Sequence, residues 1–285
     1  MKVPVSNEYG KLKKAVVCEP VYLNIKEAIN VIEANFLRLG KPVIVEEAIR
    51  QHRNFVRVLR SEGVNVVSIP PDELLPEQVY VEDIGISTEK GVILGRFSPP
   101  VRKGEIEAAK GFFEKNKIPI LHEISEGFFE GGDFVYLDEE AAAIGLSSRT
   151  TSKGITELQR HISRKLIMVR TPANYLHLGG LLNVISEKEC VLCSKLLPEL
   201  FLKTLKTKGF ETVDVKVREL EKQLHSACNV LALGNKKLVS FPQNKKVNAE
   251  LRKRGFDVIE VEIDEILKGG GSFGCITFSL ERENA

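Results

Sequence analysis

Apolar positions along the chain follow two rhythms, a short strand-like run and a longer helical one, and the pair recurs five times. Each unit opens on a small or polar residue followed by an apolar run: Asp83 (VEDIGIST), Asp133 (GGDFVYLD), Asn183 (LLNVISEK), Asn229 (ACNVLALG) and Cys275 (FGCITFSL), at steps of 50, 50, 46 and 46 residues. Polar turns come next, such as Thr88-Glu89-Lys90-Gly91 and Gly234-Asn235-Lys236-Lys237, of the kind hairpins prefer. Second apolar strands are expected at 92–94, 142–144, 190–193 and 238–241. Helical spacing then covers 105–115, 154–163, 196–208 and 246–254, and leads to strands at 118–124, 165–169, 211–217 and 257–263. Gly209 and Gly255 stand where a helix C-terminal cap puts glycine. The fifth unit lacks a following strand and takes it from the N-terminus, with a strand at 12–17, a helix at 45–62 and a strand at 64–69.

Units that cannot bury their apolar faces alone stack or close, so a ring is expected, its five opening residues facing one central mouth. No Pro/Ser-rich linker interrupts the pattern, and a single domain over 1–285 follows. The segment 22–42 lies outside the repeat and fits either a lid over the mouth or a surface elaboration.

Composition narrows the class. The 285 residues are 43% hydrophobic and 28% charged, enough for a sizeable core. With 41 basic and 39 acidic residues the net charge is +2, so nucleic acid and membrane surfaces are not expected partners. The chain runs from Met1-Lys2-Val3-Pro4 into a polar segment, and no apolar run reaches the ~18–20 residues that span a bilayer. A cytoplasmic location with five reduced thiols is therefore expected.

Candidate chemistry clusters near the unit openings. Gly269-Gly270-Gly271 lead into Cys275, and a glycine run lets backbone approach closely and adopt positive φ. That cysteine reads as a buried structural thiol or as a sulfur at the rim of a cavity. Glu77, Glu82 and Asp83 fall within seven residues, as an acidic turn or a cation site. Phe128-Phe129-Glu130-Gly131-Gly132-Asp133 buries acids at a strand start, which is costly without a cation. No basic residue recurs at the openings, so a cationic ligand is the expected partner. Arg102 and Arg149 offer anion clamps, and Glu105 suits the first turn of a helix. His177 precedes Asn183 by six residues and is placed near the mouth, whereas His52, His122 and His161 are not and His225 is its rival. Cys190 and Cys193 have the spacing of a metal pair but no second pair and sit in an apolar strand.

Taken together, Tyr80-Val81-Glu82-Asp83, Glu130-Gly131-Gly132-Asp133, His177-Leu178 and the glycine run before Cys275 resemble the guanidino-group-modifying enzymes. The resemblance covers nearly the whole chain and is nearest to dimethylarginine dimethylaminohydrolases. It implies an α/β pentein fold, a five-module propeller of ββαβ repeats. It implies cysteine-dependent hydrolysis of a C–N bond in an N-substituted guanidine, giving a ureido product and an amine. A deiminase, an amidinotransferase and a non-catalytic pentein binding protein are the alternatives. Carried over, Cys275 is the nucleophile and His177 the general acid/base. Asp83 and Glu130 grip the guanidinium, Glu77 stands where an aspartate holds the α-amino group, and Arg102 and Arg149 take the α-carboxylate. Asp133 joins the binding set. No metal or organic cofactor is implied, and the partners are a small guanidino molecule and at most a second copy in a homodimer. Deiminases carry an aspartate two residues after the histidine, where this chain has Gly179, which leaves room for N-alkyl groups. Gly274 stands where some relatives carry histidine.

Overall fold

The computed structural model describes residues 5–284. The expectation drawn from Met1 to Pro4 lies outside the described residues. The chain enters with strand β1 (Leu12–Cys18), helices α1 (Val31–Arg38) and α2 (Val45–Ser61), and strand β2 (Asn65–Ile69). Four units of one plan follow. The first is β3 (Gly85–Ser87), β4 (Val92–Leu94), α3 (Gly104–Lys115) and β5 (Ile120–Glu123); the second is β6 (Phe134–Tyr136), β7 (Ala141–Leu146), α4 (Ser152–Gln159) and β8 (Lys165–Arg170). The third is β9 (Leu182–Ser186), β10 (Glu189–Leu192), α5 (Glu199–Thr207) and β11 (Glu211–Asp214), with α6 (Val217–Lys222) behind it. The fourth is β12 (Leu231–Gly234), β13 (Lys237–Ser240), α7 (Lys245–Lys253) and β14 (Asp257–Glu260). Helix α8 (Asp264–Leu267) and strand β15 (Phe278–Arg282) end the chain.

Every unit is a three-stranded sheet with one connection pattern: first strand antiparallel to the second, second parallel to the third. A helix bridges the parallel pair, as a parallel crossover requires. The fifth sheet is β15-β1-β2, so the first and last strands of the chain pair, Val16 opposite Phe278. Each helix turns an apolar face onto its sheet, as Ala48, Phe55 and Leu59 of α2 do. No helix among the described residues is long and apolar enough to cross a membrane.

The strand starts differ from expectation. Asp83 and Asp133 do not open strands; they lie in short 3-10 turns, Val81–Ile84 and Gly131–Asp133, just ahead of β3 and β6. A strand alternates its side chains between two faces, whereas a turn frees neighbouring side chains to point one way. Asn183 lies within β9 opposite Val191, and the third unit instead presents His177 ahead of its turn Leu178–Gly180. Tyr80, Glu130 and His177 hold the same place, each immediately before such a turn.

Candidate active site

The loop before β15 carries Cys275. Gly270 has φ of 89°, a conformation that favours glycine, and side chains at 269 and 271 would collide with the Tyr80 ring. Tyr80 in turn anchors to the Ile266 carbonyl at 2.7 Å. Asn229 fixes the thiol: it accepts from Gly274 N at 2.8 Å and its amide lies 3.2 Å from Cys275 Sγ. Ser272 donates to the Asn229 carbonyl, and Glu82 N donates to the Cys275 carbonyl. Cys275 is 9% exposed, and with His177 it lines two small cavities. Burial, with the fields of Glu82 and Asp83, pushes the thiol well above its ordinary range, so it is neutral.

His177 sits between two carboxylates. Nε2 is 2.9 Å from Glu130 Oε2, and Nδ1 is 3.5 Å from Asp83 Oδ1. Burial opposes its charge, but Asp83 and Glu130 prevail and raise it to about 9, so the imidazole is protonated at neutral pH. A Cβ at position 132 would lie 2.6 Å from Asp83 Oδ1 and 2.8 Å from His177 Nδ1. Glycine there is what lets the acid and the imidazole meet. Asp133 accepts from Leu178 N at 2.9 Å and Ser147 Oγ at 2.7 Å. It therefore braces the turn that carries His177.

The acids have protein cations as partners, contrary to the expectation that only a ligand would serve. Arg102 is 1% exposed and reaches Asp83 at 2.5 Å, Glu105 at 2.8 and 3.0 Å and the Tyr80 carbonyl at 3.0 Å. Its guanidinium stacks over Phe97 at 4.3 Å. Arg149 binds Glu130 at 3.1 Å and the Ile29 carbonyl at 2.8 Å. A recurring opening position could not reveal these pairs, because both arginines lie outside the repeat's openings. Asp83, Glu130 and His177 also place ligand atoms within 4.8 Å of one another, a spacing a metal ion would accept. The two guanidinium groups on those carboxylates and the proton on His177 make that a poor site for a metal.

Residues 19–282 match the family described as N,N dimethylarginine dimethylhydrolase, eukaryotic. The chain belongs to this family. The dimethylarginine dimethylhydrolase family lies within the pentein superfamily of guanidino-modifying enzymes, and the five-sheet ring is that fold. The uncharacterized protein YkgA of Bacillus subtilis is 34% identical over 99% of this chain and 96% of its own length. The N(G),N(G)-dimethylarginine dimethylaminohydrolase of Pseudomonas aeruginosa is 26% identical, over 84% of this chain and 90% of its own. A solved structure of that species' enzyme, a cysteine-to-serine mutant complexed with citrulline, aligns at TM-score 0.78 and 20% identity, covering 94% and 99% of the two chains. The N-terminal domain of ArgZ, a cyanobacterial arginine dihydrolase bound to product, aligns at TM-score 0.86 and 18% identity, covering 95% and 98%.

For this member of the dimethylarginine dimethylhydrolase family, the glycine at 179 is enforced by packing: a Cβ there would stand 2.9 Å from the Gly132 carbonyl. Glu77 is buried and lines the cavity beyond Arg102. Burial, with Glu33 and Glu105 nearby, raises it to about 8 despite Arg102. Glu77 also lines a groove of about 1020 Å³ that it shares with Val21, Ile29, Leu74 and Val101. Asn229 was legible as a unit opening but not as the partner of the thiol. Glu33 carried no signal, since one acid in an amphipathic helix looks like a solvated one. Glu105 was legible only as a first-turn charge; it is buried against Arg102. Cys190 and Cys193 are both buried, Cys190 in β10 and Cys193 just past it.

Proposed function

We propose that the protein hydrolyses a C–N bond in a guanidino compound of the arginine-derivative class, through a covalent intermediate on Cys275. The observation that carries this reading is that one buried cavity is lined by Cys275, His177 and Asp83, with Glu130 bonded to the same imidazole. A guanidinium is planar and resonance-stabilised, and its carbon is a poor electrophile. Asp83 and Glu130 hold it by charge-assisted hydrogen bonds, which orient the carbon toward the sulfur. Burial and the fields of Glu82 and Asp83 keep the thiol protonated, and the arriving cation offsets those fields.

As the guanidinium binds, the thiol gives up its proton to solvent, and the sulfur of the resulting thiolate bonds to the guanidino carbon and gives a tetrahedral adduct. Protonated His177 delivers its proton to the departing amine as the C–N bond breaks. The neutral imidazole next takes a proton from water, whose oxygen bonds to the carbon. The C–S bond breaks, returning the thiolate and releasing a ureido product. Packing at Gly179 removes a carboxylate from the far guanidinium nitrogens and favours an N-substituted guanidine over free arginine.

Cys275→Ser is expected to abolish turnover while melting like the parent protein. Amine release from methylated arginines, against ammonia release from arginine and agmatine, distinguishes the substituted-guanidine hydrolase from a deiminase. Undiminished turnover by the serine variant would remove the basis for the mechanism.

A further inference from the structure

The sulfur must carry negative charge twice, first as the attacking thiolate and again as the group that leaves. Asn229, which is buried, is the side chain built against it. Its backbone is held at both ends: N donates to the Ser226 carbonyl at 3.0 Å, and the carbonyl accepts from Ser272 Oγ at 3.0 Å. One contact settles which way its amide points. Gly274 N can only donate, and it faces Oδ1 at 2.8 Å, so the end of the amide 3.2 Å from Cys275 Sγ is the Nδ2 donor. A missing side chain makes room for this. A Cβ at position 274 would stand 2.8 Å from Asn229 Oδ1 and 3.3 Å from Glu82 Oε1. The backbone at Gly274 is not left-handed, so its conformation does not call for glycine; the asparagine beside it does.

We infer that Asn229 is a catalytic residue, the N–H donor that stabilises the Cys275 thiolate, and that Gly274 is a positioning residue that lets it reach the sulfur. This rests on the hydrolase reading above. Asn229 transfers no proton. It donates one hydrogen bond, which strengthens as charge collects on the sulfur and weakens as the sulfur bonds to carbon. A thiolate loses only part of its nucleophilicity as its thiol becomes more acidic, with a slope of about 0.4–0.5, so the gain in ionised sulfur prevails in the attack. When the C–S bond breaks, charge returns to a sulfur that already faces a fixed donor. The charged groups around the sulfur are Glu82, Asp83, His177, Arg102 and Arg149, with the titratable Glu77 and His225 on the walls of the same cavities. All of them are kept in the variants below.

Alkylation by iodoacetamide, followed by mass spectrometry of the peptide that carries Cys275, tests this without turnover. Asn229→Ala removes a hydrogen bond to a charged group, a factor of about 10 to 100 in thiolate population. Greater reactivity of the remaining thiolate returns part of that, and alkylation between about pH 7 and pH 9 is expected to be about 3- to 10-fold slower. Its pH midpoint should move up. Gly274→Ala, which displaces the asparagine, should slow the reaction alike, and the double variant should be no slower than either. A purely structural role has the opposite sign, because loosened packing opens the thiol to the reagent. Alkylation that is unchanged or faster in Asn229→Ala, or losses that multiply in the double variant, overturns the inference. Should Asn229→Ala fail to fold, Gly274→Ala decides: slower alkylation supports the role, and an unchanged or faster rate refutes it. Failure of wild-type protein to hydrolyse any guanidine would sink the hydrolase reading, while the alkylation rates would still show whether Asn229 stabilises the thiolate.

Discussion

At the residue scale, the chemistry depends on how a few charges are balanced out of water. Asp83 is buried, which raises its pKa, yet His177 and Arg102 hold it below the usual carboxylate value. His177 is its counterpart, raised to about 9 by Asp83 and Glu130 against the cost of burial. Because folding raises that pKa, the stabilising contribution is complete below the unfolded value near 6.5 and is lost as pH rises through about 9. Comparing chemical denaturation of the wild type and His177→Asn, we expect the wild-type advantage to shrink by about 3 kcal/mol between pH 6 and pH 10. A difference independent of pH would mean that the imidazole is not held as a cation. The sequence pointed to Cys275, His177, Glu130 and Asp83 because each sits beside glycines or an opening run. It did not show which of them touch, since their separations along the chain run to nearly two hundred residues.

At the element scale, the short turns before the strands carry the site, and Ile29 and Asn30, just ahead of α1, line its cavity. Asn30 caps α1, accepting from Ile32 N and Glu33 N, and donates to the Gly269 carbonyl in the run leading to Cys275. One side chain thus ties the start of the helix to the loop that carries Cys275. Asn30→Ala should cost about 1 kcal/mol in helix capping and loosen the segment from 22 to 38. Hydrogen exchange is expected to accelerate there and around 269–275, with the strands unaffected. Unchanged protection in both stretches would show that the cap is not what holds them together. Periodicity placed α2, α3, α4, α5 and α7 to within a few residues, because an amphipathic face leaves a local trace. It placed Asp83 and Asp133 in strands, because a single 3-10 turn leaves no periodic trace.

At the scale of the whole molecule, closure of the ring joins the ends of the chain. β15 pairs with β1, Arg282 donates to the Gly10 and Ala232 carbonyls, and Phe278 packs against Phe113 with ring centroids 5.6 Å apart. Phe278 and Leu280 are both in the core. Deleting residues 278–285 should therefore abolish the cooperative thermal transition followed by circular dichroism. A truncated chain that still melted cooperatively within about 5 °C of the parent would show that the fifth unit is dispensable.

The sequence by itself determined the repeat, the approximate positions of its helices and most of its strands, and the residue types able to handle a guanidinium. Hydrophobic period and glycine placement act over a few neighbours, and they survive in the linear order. The tertiary structure alone decided that Arg102 and Arg149 face the acids, that Asn229 holds the thiol and that Glu33 lies buried with an unmatched oxygen. Those facts depend on which distant side chains ring closure brings out of water together, where a charge must find a partner or go without.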